Sequence, residues 1–448
     1  MKRIYLQIVT MFFFSVCTIQ AQTEDKKANE ITVTNAQGKQ EVIDVPEAMN
    51  TEVDSLLNLY YTKNYLHPDT GCNLPNVNPI YDKSVYIDRL RRIPSVIELP
   101  YNEVVQKFID RYSGRLRRSV SYMLGASNFY VPIFEQALET YGLPLELKYL
   151  PVIESALNPK AVSRVGATGL WQFMLGTGKR YGLEINSLVD ERRDPVKASY
   201  AAAHYLSDLY KIFGDWNLVI AAYNAGPDKI TKAIHRAKGQ TDYWQIYPYL
   251  PQETRGYVPA FIAANYIMNY YCEHNICPLV TDLPAKTDTV LVNRDIHFDQ
   301  IAHVLHIDTE QLLELNPQYR RNVINGSSQP SALRLPAALI NTFIDKADSI
   351  YAYNPDELLN KRTEVVVNDD VPMYTSPRKT YSRKSGRRTK ETRRHGKKQR
   401  LQGKSITIKD GDTLSEIAAR NHTTVKKLRK LNNISGSNIR AGKKIKVK

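Results

Sequence analysis

Cysteine is scarce in this chain, with 4 residues in 448, and one of them, Cys17, falls in the apolar N-terminal segment. The remaining three, Cys72, Cys272 and Cys277, are an odd number for a compartment that can oxidise thiols. A Cys272–Cys277 bridge is compatible with the sequence. The same segment contains His274 but lacks the second ligand pair of a convincing zinc site. We therefore expect no metal and no cofactor.

Long apolar runs are absent beyond the N-terminus, where no segment approaches the roughly 18 consecutive apolar residues of a membrane span. The first residues have the pattern of an export signal: two basic residues, an apolar run that ends at Val16, and small or polar residues up to Ala21. We expect a signal peptide over residues 1–21 and an exported protein of the periplasm or cell envelope, with outer-membrane association left open. Lipidation at Cys17 fits less well, because Val16 stands where a lipidation site has a small residue.

Positive charge is concentrated at the C-terminal end of the chain. Residues 378–404 hold 13 Lys and Arg against one acidic residue, and residues 405–448 hold 11 against three. These segments carry net charges of +12 and +8, which leaves −5 for residues 1–377. The 378–404 stretch is compatible with nucleic acid, but the export signal argues against that partner. Peripheral contact with a membrane or with anionic wall polymers fits better, and an unselected solvated linker fits best.

The middle of the chain has helical periodicity. Residues 22–95 are polar and are predicted to be a partly ordered N-terminal region. Residues 96–275 are predicted to be an all-helical domain, since apolar residues recur at spacings of about 3.6, as at Val104, Val105, Phe108 and Tyr112. Cap and turn residues mark the helix boundaries: Pro144 begins one helix, Asp194 and Pro195 begin another, and Gly226–Pro227 ends the helix that carries Tyr223.

Two segments near the C-terminus, 286–336 and 405–448, resemble each other. Both predict a strand, two short helices and a second strand, and both carry Ile-Ala, Thr and Leu-Asn at nearly the same spacing. A shared spacing of this kind favours a repeated module over coincidence. Residues 337–404 separate the two copies and are predicted to be a linker that is basic from residue 378.

Glu154 is the single carboxylate of the apolar segment 150–159, LPVIESALNP. A lone glutamate in a helix is usually an exposed surface residue. Here the apolar neighbours predict burial, which favours the protonated carboxyl and raises its pKa as a general acid requires. Pro151 lacks an amide proton, so we expect the helix to bend just before it.

Two further motifs supply groups that suit a sugar ligand. The segment 166–174, GATGLWQFM, combines two glycines that permit close backbone approach to a ligand with an amide and bulky side chains. A glycine-rich turn is the alternative, and we place Trp171 in the core. Farther along the chain, Tyr223 and Asn224 lie at a helix C-terminus, where the amide alternatively caps carbonyl groups.

In this order, the motifs resemble the lytic transglycosylase domain, which has a goose-type lysozyme-like fold, and specifically the membrane-bound lytic murein transglycosylase D group. The resemblance covers roughly residues 96–272 and rests on Glu154-Ser155, GLWQ at 169–172, AYN at 222–224 and Tyr257-Val258. It implies that Glu154 is the catalytic acid/base. It also implies a glycan groove lined by Ser155, Ser163, Gln172, Met174, Tyr223, Asn224 and Tyr257.

The same resemblance implies a reaction that uses one carboxylate. Most glycosidases use two, and the obvious second candidates are Asp190, Glu191 and Asp194. Asp194 is predicted to cap a helix and the other two to lie in a solvated turn. In the implied reaction Glu154 acts first as acid and then as base, and a 1,6-anhydromuramic end forms without water. Two alternatives stay open: a hydrolytic muramidase with the same fold, and a non-catalytic scaffold that binds the wall.

The C-terminal copies resemble LysM modules, which bind the N-acetylglucosamine-containing backbone of peptidoglycan. In the second copy, the loops that form the sugar groove are matched by Asp412, Thr413, Asn433 and Ile434. The first copy departs from the pattern in both loops and is expected to be a degenerate module, mainly a spacer packed on the helical domain. The predicted chain is multidomain, with a mainly α catalytic domain followed by small α+β (βααβ) LysM modules. Its expected partners are peptidoglycan glycan strands, with exo or endo preference and oligomeric state open.

Overall fold

The computed structural model describes much of the chain up to residue 359 and parts of the C-terminal module. The described ranges are 30–34, 38, 40–49, 66–281, 283–284, 286–359, 405–407, 417–418, 421, 423–432 and 444–447. The chain divides into two compact units, residues 1–371 and 372–448. Several predicted features lie outside the described residues: the signal peptide, Cys17, the 378–404 stretch, Asp412, Thr413, Asn433 and Ile434.

Helices build most of the first unit. They are α1 (Lys83–Arg92), α2 (Glu103–Ser113), α3 (Arg117–Thr140), α4 (Leu150–Ser155), α5 (Leu175–Arg180), α6 (Pro195–Phe213), α7 (Trp216–Ala225), α8 (Pro227–Arg236), α9 (Tyr243–Ile246) and α10 (Gln252–Asn269). Short 3₁₀ helices accompany them at Glu47–Met49, Leu145–Tyr149, Tyr247–Tyr249 and Cys272–His274. The prediction of a mainly helical domain is confirmed.

Helix α10 runs through the core of the helical domain. From Thr254 to Met268, every residue except Arg255 is buried. A helix that is apolar on all sides belongs in a core, and α10 packs against α2, α4 and α7. This packing fixes the position of α4, which carries Glu154, relative to Tyr257 on α10.

The cap residues act largely as predicted. Asp194 Oδ1 accepts hydrogen bonds from the amides of Val196 (2.9 Å) and Lys197 (3.0 Å), and Pro195 follows in the first turn of α6. Gly226, with φ of 84°, ends the helix that carries Tyr223.

The prediction for Pro144 is confirmed, and that for Pro151 needs correction. A helix of the 3₁₀ type, Leu145–Tyr149, begins directly after Pro144. Pro151 lies in the first turn of α4, where its missing amide proton costs no hydrogen bond, so it begins a helix and does not bend one.

Part of the N-terminal region is built into the helical domain. Strands β1 (Glu30–Thr34) and β2 (Gln40–Asp44) pair antiparallel, and Ile31, Val33 and Ile43 join the main hydrophobic core. At α10, a Cβ on Gly256 would overlap the carbonyl oxygen of Asp44 and lie 3.1 Å from Ile43 Cγ2. The absence of a side chain at Gly256 therefore lets β2 lie directly on α10. The polar composition of residues 22–95 did not indicate this packing.

A disulfide joins distant parts of the first unit. Cys72 and Cys277 are bonded across a sequence separation of 205 residues, and Cys272 is free and exposed. The suggested Cys272–Cys277 bridge is therefore wrong. Nearby, β3 (Leu66–Pro68) pairs antiparallel with β4 (Leu279–Thr281), so the bridge and the strand pair hold the same two segments together. Sequence spacing suggested the pair Cys272–Cys277 because these cysteines are neighbours in the chain. It contains no information on the contact between Cys72 and Cys277.

The first repeated module also lies in unit 1. Its outer strands β5 (Thr287–Val292) and β8 (Ser331–Pro336) pair antiparallel. Between them lie β6 (Asp295–His297), α11 (Phe298–Leu305), α12 (Thr309–Leu315) and β7 (Val323–Asn325), and β6 pairs with β7. The inner β6–β7 pair was not predicted. Residues assigned to the start of the linker form α13 (Ile340–Asp345), α14 (Ala347–Ala352) and α15 (Pro355–Leu358), and Phe343 and Ile350 join the module's core.

The second module, in unit 2, is described in part. It contains β9 (Ser405–Thr407), α16 (Val425–Asn432) and β10 (Lys444–Lys446), and β9 pairs antiparallel with β10. Asn432 Nδ2 donates to the Lys446 carbonyl (2.8 Å), and the Lys446 amide donates to Asn432 Oδ1 (2.7 Å). Asn316 and Arg334 make the same two bonds in the first module, both at 2.8 Å. The repeated Leu-Asn motif thus marks one structural position, an asparagine that binds the last strand.

Across the part of the chain that the structure describes, none of the helices has the length and apolar character needed to cross a membrane.

Candidate active site

Glu154 lies in the last turn of the short helix α4. Directly after the Glu154-Ser155 pair, Ala156 (φ 49°) and Leu157 (φ 60°) have left-handed backbone conformations. A residue other than glycine in this region costs about 1–3 kcal/mol and persists where the surrounding packing requires it. Both side chains are buried, so core packing enforces the sharp turn that follows the glutamate.

Tyr257 is the direct partner of Glu154. Its phenol, buried on α10, donates a hydrogen bond to Glu154 Oε1. Burial raises the pKa of Glu154 from 4.5 to about 7, and the negative charges of Glu253 and Glu47 act in the same direction. The Tyr257 bond lowers the pKa, because it stabilises the carboxylate. Near neutral pH this carboxyl therefore has both protonation states available.

A second phenol, that of the half-buried Tyr223, lies close enough to Glu154 for their charges to interact. Burial and the charge of Glu154 raise its pKa well above 10, so it stays protonated. Its hydroxyl donates a hydrogen bond to the carbonyl of Trp171 (2.7 Å). Tyr223 thereby connects α7 to the glycine-containing segment that sequence analysis singled out.

We call residues 161–174 the groove segment. Ser163 Oγ accepts a hydrogen bond from the Ala167 amide (3.0 Å), and Gln172 Nε2 donates to the Gly169 carbonyl (2.8 Å). Gln172 has a left-handed backbone (φ 48°). These bonds fold the groove segment tightly upon itself, and Met174, at its end, is 45% exposed.

The glycines of the groove segment do not provide the close backbone approach to a ligand that the sequence suggested. At Gly169 (φ +86°), a Cβ would lie 2.6 Å from the carbonyl carbon of Arg192 and closer still to its oxygen. The close approach therefore serves packing against the protein's own backbone. Gly166 (φ +87°) has open space where a Cβ would stand, so only its backbone conformation favours glycine.

Two more predicted groove residues have partners within the protein, and the core prediction for Trp171 is confirmed. Ser155 is buried and its hydroxyl donates to the Leu170 carbonyl (2.9 Å). Asn224 Oδ1 accepts from Thr254 Oγ1 (3.2 Å). Trp171 is fully buried, and its indole donates to another side chain in the core. Ser155 therefore stabilises the α4–groove segment contact.

The acidic residues after position 189 are structural. Asp190 and Glu191 are buried, so their predicted place in a solvated turn is wrong. Asp190 forms an ion pair with Arg192 (2.8 Å), and Glu191 forms one with Lys197. These pairs compensate the burial of both carboxylates, which sequence alone did not reveal.

Two carboxylates that raise the pKa of Glu154 were not predicted from the sequence. Glu253 is exposed in the first turn of α10, and Glu47 comes from the N-terminal region. Glu47 Oε1 accepts from the amide of Arg164 (3.3 Å) and lies 3.6 Å from its guanidinium Nε. Glu253 lies four residues before Tyr257, one helical turn away, and this spacing could have predicted that it is near Glu154. No feature of the sequence indicated that Glu47 is near Glu154.

Within the described ranges, no group of three or more His, Cys, Asp or Glu residues is arranged to hold a metal ion. The site itself presents a carboxyl with a raised pKa, two phenols, and the amides and carbonyls of the groove segment.

Three parts of the chain match known domain families. Residues 132–246 match the model of the Transglycosylase SLT domain. Residues 286–352 match the LysM-like domain of lytic transglycosylase MltD, and residues 406–448 match the LysM domain. The expected resemblance is confirmed: the chain combines an SLT domain with an MltD-type LysM-like domain and a LysM domain.

Two curated transglycosylases have sequences similar to this chain. The chain is 29% identical over 310 residues to membrane-bound lytic murein transglycosylase D of Escherichia coli (strain K12), which covers 68% of this chain and 60% of that protein. It is 35% identical over 124 residues to the soluble lytic murein transglycosylase of the same strain, covering 26% and 19% of the two chains. A crystal structure of the 70 kDa soluble lytic transglycosylase from Escherichia coli matches with 29% identity and a TM-score of 0.29, covering 33% and 25%. The chain thus spans about 60% of the length of the transglycosylase D that it matches.

Proposed function

We propose that this protein is a peptidoglycan lytic transglycosylase that cleaves the β-1,4 bond between N-acetylmuramic acid and N-acetylglucosamine. The observation that carries the proposal is the Glu154 carboxyl, whose pKa burial raises to about 7 while Tyr257 holds it in place. It lies next to the SLT-matching groove segment, in a chain that also matches LysM domains. The names of its relatives support the substrate class.

In the first step, Glu154 donates its proton to the bridging oxygen of the glycosidic bond. The bond between this oxygen and C1 of the muramic residue breaks, and an oxocarbenium-like centre develops at C1. The raised pKa supplies the proton at neutral pH. The N-acetylglucosamine leaves with a free hydroxyl, and Glu154 becomes a carboxylate.

In the second step, the carboxylate of Glu154 removes the proton from the C6 hydroxyl of the same muramic residue. The C6 oxygen then bonds to C1, which gives a 1,6-anhydromuramic end and returns Glu154 to its protonated form. One carboxyl thus suffices as acid and base, and no water is consumed. The hydrogen bond from Tyr257 stabilises the carboxylate formed between the steps, so it favours proton donation in the first step and moderates the basicity of Glu154 in the second.

The groove residues act by holding the glycan strand. We assign contacts with the sugar amides and hydroxyls to Ser163, Gln172, Tyr223, Asn224 and Tyr257, with Met174 as an exposed apolar contact. Ser155 supports the groove from within the core. In unit 2, Asp412, Thr413, Asn433 and Ile434 are assigned to glycan binding by the LysM domain, which raises the local concentration of substrate.

The proposed location is the periplasmic side of the cell envelope, after removal of residues 1–21. The name of the membrane-bound relative supports an envelope location. The basic residues 378–404 are assigned to a linker that contacts anionic polymer or membrane surfaces peripherally, and nucleic acid is not a proposed partner.

Digestion of purified sacculi tests the proposed reaction. The mature protein is incubated with sacculi, and the released muropeptides are weighed by mass spectrometry. We expect products one water lighter than hydrolysis products, and none from Glu154→Gln. Ordinary reducing ends would identify a hydrolytic muramidase, and no release at all would identify a non-catalytic scaffold.

A further inference from the structure

The first LysM-like module, residues 286–352, is docked on the helical domain. Leu188 and Val189 of the helical domain belong to the module's own hydrophobic core. Two backbone hydrogen bonds flank this contact: the Asp190 amide donates to the Gln318 carbonyl (2.9 Å), and the Arg320 amide donates to the Leu188 carbonyl (2.8 Å). The segment that precedes α6 is therefore part of the module as much as of the helical domain.

Arg192 connects this docked segment to the groove segment. The two carboxylate oxygens of Asp190 accept hydrogen bonds from Nε (2.9 Å) and Nη2 (2.8 Å) of the Arg192 guanidinium. The remaining nitrogen, Nη1, donates to the carbonyls of Gly166 and Phe173, both at 3.1 Å. The Arg192 and Asp190 side chains are 9% and 2% exposed. The guanidinium thus holds both ends of the turn formed by residues 166–173.

A second link joins the module to the start of the groove segment. Lys160 Nζ lies 2.6 Å from Glu314 Oε1 on α12, and the Glu314 side chain is 6% exposed. The next residue, Ala161, accepts hydrogen bonds at its carbonyl from the Gly169 amide (2.9 Å) and from Gln172 Nε2 (3.4 Å). The ion pair therefore fixes the backbone that positions Gln172.

The two loops of the first module, one before α11 and one after α12, are engaged in contacts within the protein. Strands β6 and β7 pair the loop before α11 with the loop after α12, with Ile296 opposite Ile324. In the second loop, Asn316, Gln318 and Tyr319 are all buried, at 0%, 5% and 5% exposure. By the LysM resemblance, these loops correspond to the ones assigned to sugar binding in the second copy. In the first copy they pair with each other and pack against the helical domain.

We propose that the first LysM-like module is a fixed part of the catalytic unit and positions the groove segment through Arg192 and Lys160, in place of binding glycan. The choice of substrate in this proposal rests on the proposed function. The claim that the module positions the groove segment does not depend on it. Arg192, Lys160 and Glu314 are positioning residues, since they act on the substrate through the groove segment.

Two variants test the proposal with the full mature chain. Glu314→Gln removes the partner of Lys160, and Arg192→Lys keeps the charge but loses the fork that reaches Asp190 and two carbonyls at once. The matched control is Asp345→Asn, which removes an exposed charge from the same module. Three quantities are measured: amide hydrogen exchange of residues 161–174, KM and kcat on a soluble GlcNAc–MurNAc tetrasaccharide, and retention on sacculi.

We expect faster exchange within residues 161–174 and a KM raised about three- to tenfold in both variants, the range that losing one buried charged contact allows. Retention on sacculi and all values for Asp345→Asn stay at the wild-type level. The alkaline limb of the pH profile, set by Glu154, also stays in place, which separates loss of positioning from general destabilisation.

Unchanged exchange in residues 161–174 would overturn the proposal. So would an unchanged tetrasaccharide KM combined with weaker retention on sacculi, because that result identifies the module as a glycan binder. A wild-type protein with no turnover of either substrate would refute the proposed function alone, and the exchange measurement would still decide the role of the module.

Discussion

The Tyr257 phenol donates a hydrogen bond to Glu154 Oε1 and so joins the central helix α10 to the short helix α4. The two residues are distant in sequence, and each is held by its own helix in the core of the domain. The bond opposes the effect of burial on the Glu154 pKa, which is nevertheless raised to about 7. The pair therefore sets the pH range in which the carboxyl can serve as both acid and base.

The alkaline limb of the pH profile is predicted to report Glu154. A general acid must be protonated, so kcat/KM should fall as pH rises through about 7. Tyr257→Phe removes the bond that lowers this pKa, so the limb should move to higher pH. Sacculus digestion across pH 5–9 measures it. Tyr243→Phe is the control, since its buried phenol binds the backbone of Thr254 and Arg255. A limb that moves to lower pH in Tyr257→Phe would contradict this account.

Glu154 is also predicted to reduce the stability of the fold. Its pKa is 4.5 in the unfolded chain and about 7 in the folded protein, so between these values the folded state holds a proton that the unfolded state releases. Stability therefore falls as pH rises through this window, by at most about 3 kcal/mol. Glu154→Gln removes the penalty and should be more stable than the wild type at pH 8 but not at pH 4.

Urea unfolding at the two pH values measures this difference. The control is Glu139→Gln on α3, because Glu139 is exposed and gains nothing from neutralisation. Equal stability of Glu154→Gln and the wild type at pH 8 would mean that the carboxyl is not desolvated enough to act as proposed.

Local sequence signals predicted the features that depend on neighbouring residues. Asp194 and Pro195 begin α6, Gly226 ends α7, and Trp171 is in the core, because caps, turns and apolar spacing determine these structures within a few residues. The raised pKa of Glu154 was predicted for the same reason, since its apolar neighbours are adjacent in the chain.

The features that sequence analysis missed depend on tertiary contacts. The pairing of Cys72 with Cys277, the packing of β2 on Gly256 and the influence of Glu47 on Glu154 all join segments far apart in the chain. Asp190 was placed in a solvated turn because its charge suggested exposure, and the compensating guanidinium of Arg192 was not recognised. A buried ion pair is not distinguishable from a surface pair by composition alone.

The Cys72–Cys277 bridge is predicted to contribute substantially to stability. It closes a loop of more than 200 residues, with a sequence separation of 205. Loss of a native disulfide typically costs about 2–5 kcal/mol, largely because the unfolded chain gains freedom. Cys277→Ser should therefore unfold at a clearly lower temperature than the wild type, as measured by calorimetry. Cys272→Ser is the control, because its thiol is free and exposed. If the two variants unfold at the same temperature, the bridge adds nothing to stability.

Substitution by alanine is predicted to reduce stability far more at Gly169 than at Gly166, although their φ angles are nearly equal, at +86° and +87°. At Gly169 the added methyl meets the Arg192 carbonyl, so Gly169→Ala must push apart the groove segment and the backbone before α6. We expect a loss of about 3 kcal/mol or more, together with loss of activity. At Gly166 the methyl enters open space, so only the left-handed backbone costs free energy, about 1 kcal/mol. Urea unfolding and release of anhydro-muropeptides compare the two. Similar losses in both variants would show that backbone conformation alone, and not contact with Arg192, makes glycine necessary in the groove segment.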